Sequence, residues 1–315
     1  MGAPKIGIFA EGSHRVVDIP RCQIHHPLIN AVAAALKASM RELGSSCYSD
    51  AAHAGLVRAL QVVVERSSQT AQVVLVCNAT EPASAMPLLE ALRTRLGPRL
   101  HSLWWNGNPA VTNVVLGPLL ERVAGPEFVV ETLNGARVYF PPAAFGQNNL
   151  DLFDSMLSAI GDMVPPDRHV VELYAGCGGI GLGLVARARS VIFNEIGAAS
   201  LSGLHRGLSE LPPEQRGRVR VVQGSAEMAS SEIHSGSVLI ADPPRKGLEP
   251  ELLSALGVSL PERLIYVSCG LGSFLRDAEV LLGQGLALRS AAAYDLFPYT
   301  AHVETLACFT RSAQI

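Results

Sequence analysis

Several side chains in the second half of this 315-residue chain have the type and setting to do chemistry. Cys269 closes the apolar run 264–268 and precedes a glycine-containing turn and a helix-like segment. A thiol at a helix N-terminus is favoured as the thiolate, the reactive form. Asp242 opens Asp242-Pro243-Pro244-Arg245, directly after the apolar run 238–241. Two prolines would stiffen that loop and hold the carboxylate toward a pocket. His302 and Glu304, in the closing run 295–304, are candidate bases. Each also has a plainer reading. Cysteines are often inert core residues, Asp-Pro-Pro-Arg could be a turn, and Glu304 could be a surface carboxylate on an edge strand.

A second constellation lies upstream. The run Glu172-Leu173-Tyr174-Ala175-Gly176-Cys177-Gly178-Gly179-Ile180-Gly181 ends a strand. Its glycines let the backbone turn tightly and approach a ligand without a Cβ in the way. Such a loop fits nicotinamide, flavin or S-adenosylmethionine equally. Glu195, 19 residues beyond Gly176, ends the next strand. An acid there can accept hydrogen bonds from both ribose hydroxyls of an adenosine. Its plainer reading is an exposed carboxylate at a helix start.

These groups require a frame. Periodicity predicts strands at 169–174, 190–194, 218–222, 237–241 and 263–268, and helices at 150–163, 179–188, 197–210, 249–257 and 272–283. Short, continuously apolar strands alternating with helices predict an α/β, doubly wound parallel sheet. Ligands bind at the carboxyl ends of such strands, where Tyr174, Asp242 and Cys269 all fall. The runs 286–294 and 303–310 lack a helix between them and read as an antiparallel pair closing the sheet edge. Residues 1–145 mix strand-like runs (5–10, 15–19, 72–77, 100–105, 111–116) with helical ones (27–43, 82–96) and read as a smaller α+β domain. The domain break is placed at 145/146.

Composition narrows the class. Nearly half of the residues are hydrophobic and 17% are charged, which excludes a disordered or coiled-coil chain. No apolar run reaches the ~18 residues of a membrane span, and the N-terminus lacks a signal pattern. A cytoplasmic protein is expected, with no obligate protein partner marked. Net charge is −3, so no global basic surface offers itself to nucleic acid. Residues 1–145 nevertheless carry 12 Lys/Arg against 10 Asp/Glu, and residues 146–315 carry 13 against 18. The six cysteines form no C-x-x-C pair. Cys22, His25 and His26 lack a second ligand pair, so no metal is expected.

Taken together, the motifs resemble the RNA uridine C5-methyltransferases. The matching blocks, in order, are Phe145-Gly146-Gln147-Asn148-Asn149, the glycine loop 172–181, Asp242 to Arg245, Ser268-Cys269 with Arg276-Asp277, and Phe297-Pro298 with His302-Val303-Glu304. Ser13 to Asp18, Gly55 to Arg58 and Gly117 extend the likeness to nearly the whole chain.

The resemblance implies a class I methyltransferase domain at 146–315, preceded at 1–145 by a domain that helps grip RNA. It implies S-adenosylmethionine as cofactor and tRNA or rRNA as partner. Cys269 would be the nucleophile and Glu304 the base. Phe145, Gln147, Asp242 and Arg245 would meet the substrate. Gln147, Tyr174, Gly176, Gly178, Glu195 and Asp242 would hold the cofactor. The chain departs from the family at Gly270 and Leu271, where Asn and Pro are usual. It departs also at Glu172 for Asp, at Ser225, and at Leu204-His205-Arg206-Gly207. Cys22 resembles the last ligand of an iron–sulfur cluster found in some members, but three partners are lacking, so no cluster is expected. Two alternatives remain: an amino-group methyltransferase, which also uses Asp-Pro-Pro but needs no cysteine, and a non-catalytic RNA-binding relative.

Overall fold

The computed structural model describes residues 3–312. It divides into two units, Met1–Glu131 and Thr132–Ile315. The break thus precedes the 145/146 position read from the sequence. The reason is the hairpin formed by β7 (Val129–Leu133) and β8 (Ala136–Phe140). Its Leu133 and Val138 are buried in one cluster with Phe153 and Met156.

The first unit opens with a small antiparallel pair, β1 (Gly7–Phe9) and β2 (Val16–Asp18). Helix α1 (Pro27–Leu43) starts with proline in its first turn, where no N–H is needed, and stops at Gly44, left-handed at φ 64°. A four-stranded sheet follows in spatial order β3 (Val57–Glu65), β4 (Thr70–Cys77), β5 (Leu100–Gly107) and β6 (Leu119–Ala124), with α2 (Met86–Leu96) between β4 and β5. Val32, Leu36, Leu75, Leu89 and Leu103 form its core. The expected strand at 111–116 is instead a loop, with Val111, Val114 and Val115 exposed.

The second unit is a three-layer α/β structure. After α3 (Leu150–Met163) come β9 (His169–Leu173), β10 (Ser190–Glu195), α4 (Ala198–Ser209), α5 (Pro213–Arg216), β11 (Val219–Gln223), β12 (Ser237–Ala241), α6 (Pro250–Val258), β13 (Arg263–Ser268), α7 (Leu271–Gly283), β14 (Leu286–Tyr294) and β15 (Glu304–Arg311). The sheet order is β11-β10-β9-β12-β13-β15-β14. The first five strands are parallel, and β15 enters antiparallel between β13 and β14. The predicted antiparallel pair therefore closes that edge, with the later strand inside.

Helices cover both faces. Met156 and Leu157 of α3 and Leu201 and Leu204 of α4 share one core cluster with Val170 and Ile240. Leu252 and Leu256 of α6 and Phe274 and Leu281 of α7 share the other with Val171, Leu239 and Tyr266. Burial on two faces explains why the strands read as unbroken apolar runs; each such side chain contributes about 1.5–3 kcal/mol.

One predicted helix is absent. Residues 179–188 form turns around a short 3₁₀ segment, Gly181–Leu184. Gly179, Gly181 and Gly183 each cost an α-helix about 1 kcal/mol relative to alanine. Their smallness is used for close contact instead: a Cβ on Gly181 would stand 2.0 Å from Glu172 Oε2.

Candidate active site

The carboxyl ends of β9, β12 and β13 and the start of β15 converge on one edge of the sheet. The register fixes who meets whom. Ser268 of β13 pairs with Thr305 of β15, the strands running in opposite directions. One step further along the chain on either side lie Cys269, just after β13, and Glu304, the first residue of β15. Ala241 pairs with both Leu173 and Tyr266, so Asp242 leaves β12 beside them.

Electrostatics confirms the convergence. Glu304 is 1% exposed. Burial lifts its carboxyl to about 7, against the opposing pull of Arg245. Asp242 is lifted to about 8, by burial first and Glu304 second. The Cys269 thiol is also raised, by burial first and then by Glu304 and Asp242, with Arg245 acting the other way. Burial, with neighbouring negative charge adding to it, thus outweighs the helix terminus expected to favour the thiolate: this arrangement keeps Cys269 protonated. His302, the other candidate base, lies on the loop before β15, its ring edge-on to Phe297 at 6.4 Å.

The loop after Asp242 is held from α7. Gly247 N–H donates to Pro244 O at 2.8 Å. Fully buried Asp277 accepts from Leu248 N–H and from Tyr266 O–H, each at 2.8 Å. Arg276 bonds the other Asp277 oxygen at 3.0 Å and also donates to Lys246 O, at 2.5 Å. Ser273 Oγ donates to Arg245 O at 2.8 Å. Gly270 has an explanation here. A Cβ at that position would stand 2.9 Å from Arg245 O, so glycine lets the loop after Asp242 pass close to the turn after Cys269. Asp277 carries this architecture yet was read only as part of a sequence block. The available signal was an acid on the apolar Phe274–Ala278–Leu281 face of a helix.

The glycine loop forms the other half of the edge. Tyr174 and Gly176 are left-handed, at φ 57° and 55°, and Gly178 lies at φ 85°. Nothing stands within 4 Å of a Cβ on Gly176, so that turn faces open space. Tyr174 O–H donates to Glu249, which also faces Lys246 Nζ at 3.5 Å. Glu195 receives Gly176 N–H at 2.8 Å on one oxygen, and Ile196 N–H at 2.9 Å and Gly197 N–H at 2.6 Å on the other. Its carboxylate is therefore already a brace between strand end and loop. Each oxygen keeps acceptor capacity for a further donor. Glu172 is buried, its Oε2 without a partner, and its carboxyl lies well above the ordinary range because of burial, with Asp242 and Glu195 adding to the effect.

Among the remaining predicted residues, Gln147 presents a buried Oε1 without a hydrogen-bond partner. Phe145 is 68% exposed on the same loop and Arg245 is exposed on its own. The Ser225 carbonyl accepts from Asn194 Nδ2 at 3.1 Å. Cys22 sits in a loop, its backbone bonded to Asn30. Among the described residues, no three His, Cys, Asp or Glu side chains gather as metal ligands, and no helix is long and apolar enough to cross a membrane.

Comparison with known proteins places this edge in context. The tRNA (uracil-5-)-methyltransferase family profile matches residues 226–312. An RNA methyltransferase of Protochlamydia amoebophila is 35% identical, the match covering 98% of this chain and 82% of that protein. One from Gloeobacter violaceus is 29% identical over 99% of this chain and 67% of its own length. One from Geobacter sulfurreducens is 29% identical, with 63% of its length spanned. Among solved structures, a Pyrococcus abyssi tRNA (uracil-54, C5)-methyltransferase in complex with S-adenosyl-L-homocysteine is similar in fold, with TM-score 0.77 and 23% identity, over 96% of this chain and 72% of that one.

Proposed function

The chain belongs to the RNA methyltransferase family described by the tRNA (uracil-5-)-methyltransferase profile, and we propose that it methylates carbon 5 of a uridine in tRNA or rRNA through a transient bond from Cys269. The observation that carries this reading is that Cys269 follows β13 where Glu304 opens the neighbouring strand β15, with Asp242 at the end of adjacent β12 and both carboxyls acting on the thiol. An amino-group methyltransferase has no use for such a thiol.

The residues fit S-adenosylmethionine. The Gly176 turn faces open space, Glu195 can accept from ribose hydroxyls, and Gln147 Oε1 is a buried acceptor without a donor. Glu172, Asp242 and Glu304 are all held above their ordinary range, by burial first, and a sulfonium is a cation that would favour their charged forms. When bound, the cofactor supplies an electrophilic methyl group on a positively charged sulfur.

The chain's own residues do the rest. To attack, Cys269 gives up its thiol proton to solvent, and a cation held beside Asp242 and Glu304 would favour the thiolate. The thiolate adds to uracil carbon 6, which makes carbon 5 enolate-like and a competent nucleophile. Once carbon 5 carries its methyl group, Glu304 takes the carbon 5 proton and the carbon–sulfur bond breaks, releasing Cys269. A carboxyl with an ordinary value near 4.5 is a weak base; one at about 7 is matched to neutral pH. Asp242 and Gln147 hydrogen-bond the uracil edge, and Phe145 and Arg245 line the approach. The target base must leave its stack to reach this depth. The first unit, with its slight excess of Lys/Arg, helps grip the RNA.

The test is methyl transfer from labelled S-adenosylmethionine to unmodified tRNA and rRNA, followed by nucleoside mass spectrometry. 5-Methyluridine, lost in Cys269→Ala, supports the reading. Methylated amino groups that survive Cys269→Ala would replace it with the amino-group reading. No transfer by the unaltered protein would leave a non-catalytic RNA-binding relative.

A further inference from the structure

Tyr299 is 94% exposed and left-handed, at φ 64°, on the loop that leads into Glu304. It occupies the third position of the turn Phe297-Pro298-Tyr299-Thr300, closed by Thr300 N–H donating to Phe297 O at 3.2 Å. Proline suits the second position of such a turn, and a positive φ at the third calls for Gly or Asn. A bulky aromatic there opposes local sterics. The surroundings hold it in place. Thr300 Oγ1 donates to Phe297 O at 2.8 Å, His302 N–H donates to Thr300 Oγ1 at 3.1 Å, and Leu296 anchors the loop at 1% exposure. The backbone at 299 is thus held in the turn with its ring exposed to solvent, although that backbone favours glycine.

We propose that Tyr299 is a stacking platform for an unpaired base of the RNA substrate, next to the uridine that enters the site. This rests on the RNA uridine reading above. Drawing one base out of a strand leaves its neighbours unstacked. Recognition of single-stranded RNA places such bases on aromatic faces, independently of their identity. A neutral, solvent-facing ring on the loop that leads into Glu304 meets that need. Substrate affinity and turn stability therefore conflict at position 299.

The experiment compares wild type with Tyr299→Gly, Tyr299→Phe and Tyr299→Ala. The probes are fluorescein-labelled oligouridylate and an unmodified tRNA transcript, with S-adenosylmethionine binding and thermal unfolding measured in parallel. Tyr299→Gly is expected to weaken RNA binding roughly 5- to 150-fold, the loss of one stacked base. It should raise KM for RNA more than it lowers kcat, leave S-adenosylmethionine binding unchanged, and keep or raise Tm. Tyr299→Phe should retain RNA binding. Equal RNA affinity of Tyr299→Gly and wild type, or a fall in Tm with affinity lost in parallel in all three variants, overturns the stacking role. If wild type itself binds neither RNA, the RNA reading fails and this inference falls with it. If wild type binds and Tyr299→Gly binds as well, only this inference falls.

Discussion

Cys269 and Glu304 lie one step beyond the Ser268–Thr305 pair that joins antiparallel strands β13 and β15, and the Glu304 charge acts on the Cys269 thiol. Thirty-four residues of chain, including α7 and β14, separate them in sequence. Inserting β15 antiparallel between β13 and β14 brings Glu304 back to the edge where Cys269 stands. An all-parallel sheet would send the chain after β13 away from this edge and return it only at the far end of the strand.

The coupled carboxyls predict a pH dependence with a definite sign. Glu304 lies at about 7 and Asp242 at about 8, above their ordinary 4.5 and 3.8. Between the ordinary and the raised values the folded state binds more protons than the unfolded one, so stability falls as pH rises across roughly 4 to 8. Asp242→Asn should therefore raise Tm at pH 8 and change it little at pH 4. Thermal scans across that range check the sign.

The same groups predict activity. kcat/KM should fall about tenfold per pH unit below about 7, as the base Glu304 becomes protonated. Glu304→Gln should lack that acidic limb and accumulate protein-bound RNA, because the carbon 5 proton then has no acceptor. Steady-state rates over pH and denaturing gels test both.

Gly270 predicts an intolerance. Its φ of −128° is open to any residue, so strain is no obstacle. The obstacle is Arg245 O, 2.9 Å from a Cβ, with Ser273 Oγ at 2.7 Å. Gly270→Ala should cost about 1–3 kcal/mol of stability through overpacking. It should also lower kcat about tenfold or more by shifting Arg245 relative to Cys269. Urea unfolding and single-turnover rates give the two numbers.

Asp277 predicts a larger loss. Asp277→Ala strands Leu248 N–H and Tyr266 O–H in the core, about 1–3 kcal/mol for each buried donor. Asp277→Asn, which keeps an acceptor oxygen, should recover part of it. Hydrogen exchange should show Leu248 opening in both variants and more in the alanine one.

Much of this was legible in the sequence. Helices α1 and α3 and strands β12, β13 and β14 match their predicted spans, because apolar period and proline or glycine punctuation agree there. The glycine loop misled: its spacing imitates a helix while its residues resist one. Glu195 was found through its distance from Gly176, but its bonds to three backbone N–H groups depend on loop geometry that spacing does not encode. The state of Cys269 was misjudged because a helix terminus is visible in sequence, whereas Glu304 and Asp242 come near only after folding. Gly270 looked like a departure and proved to be a contact.

The central claim is a bond from Cys269 to uracil, and trapping it is the most direct test. A fluorine at carbon 5 cannot leave as a proton, so the adduct formed with 5-fluorouridine RNA and S-adenosylmethionine should persist. Wild-type protein should shift in intact mass by the RNA plus one methyl group, peptide mapping should place the link on Cys269, and Cys269→Ala should give none. Methyl transfer by wild type without any trapped species, or an adduct that survives Cys269→Ala, would contradict the account.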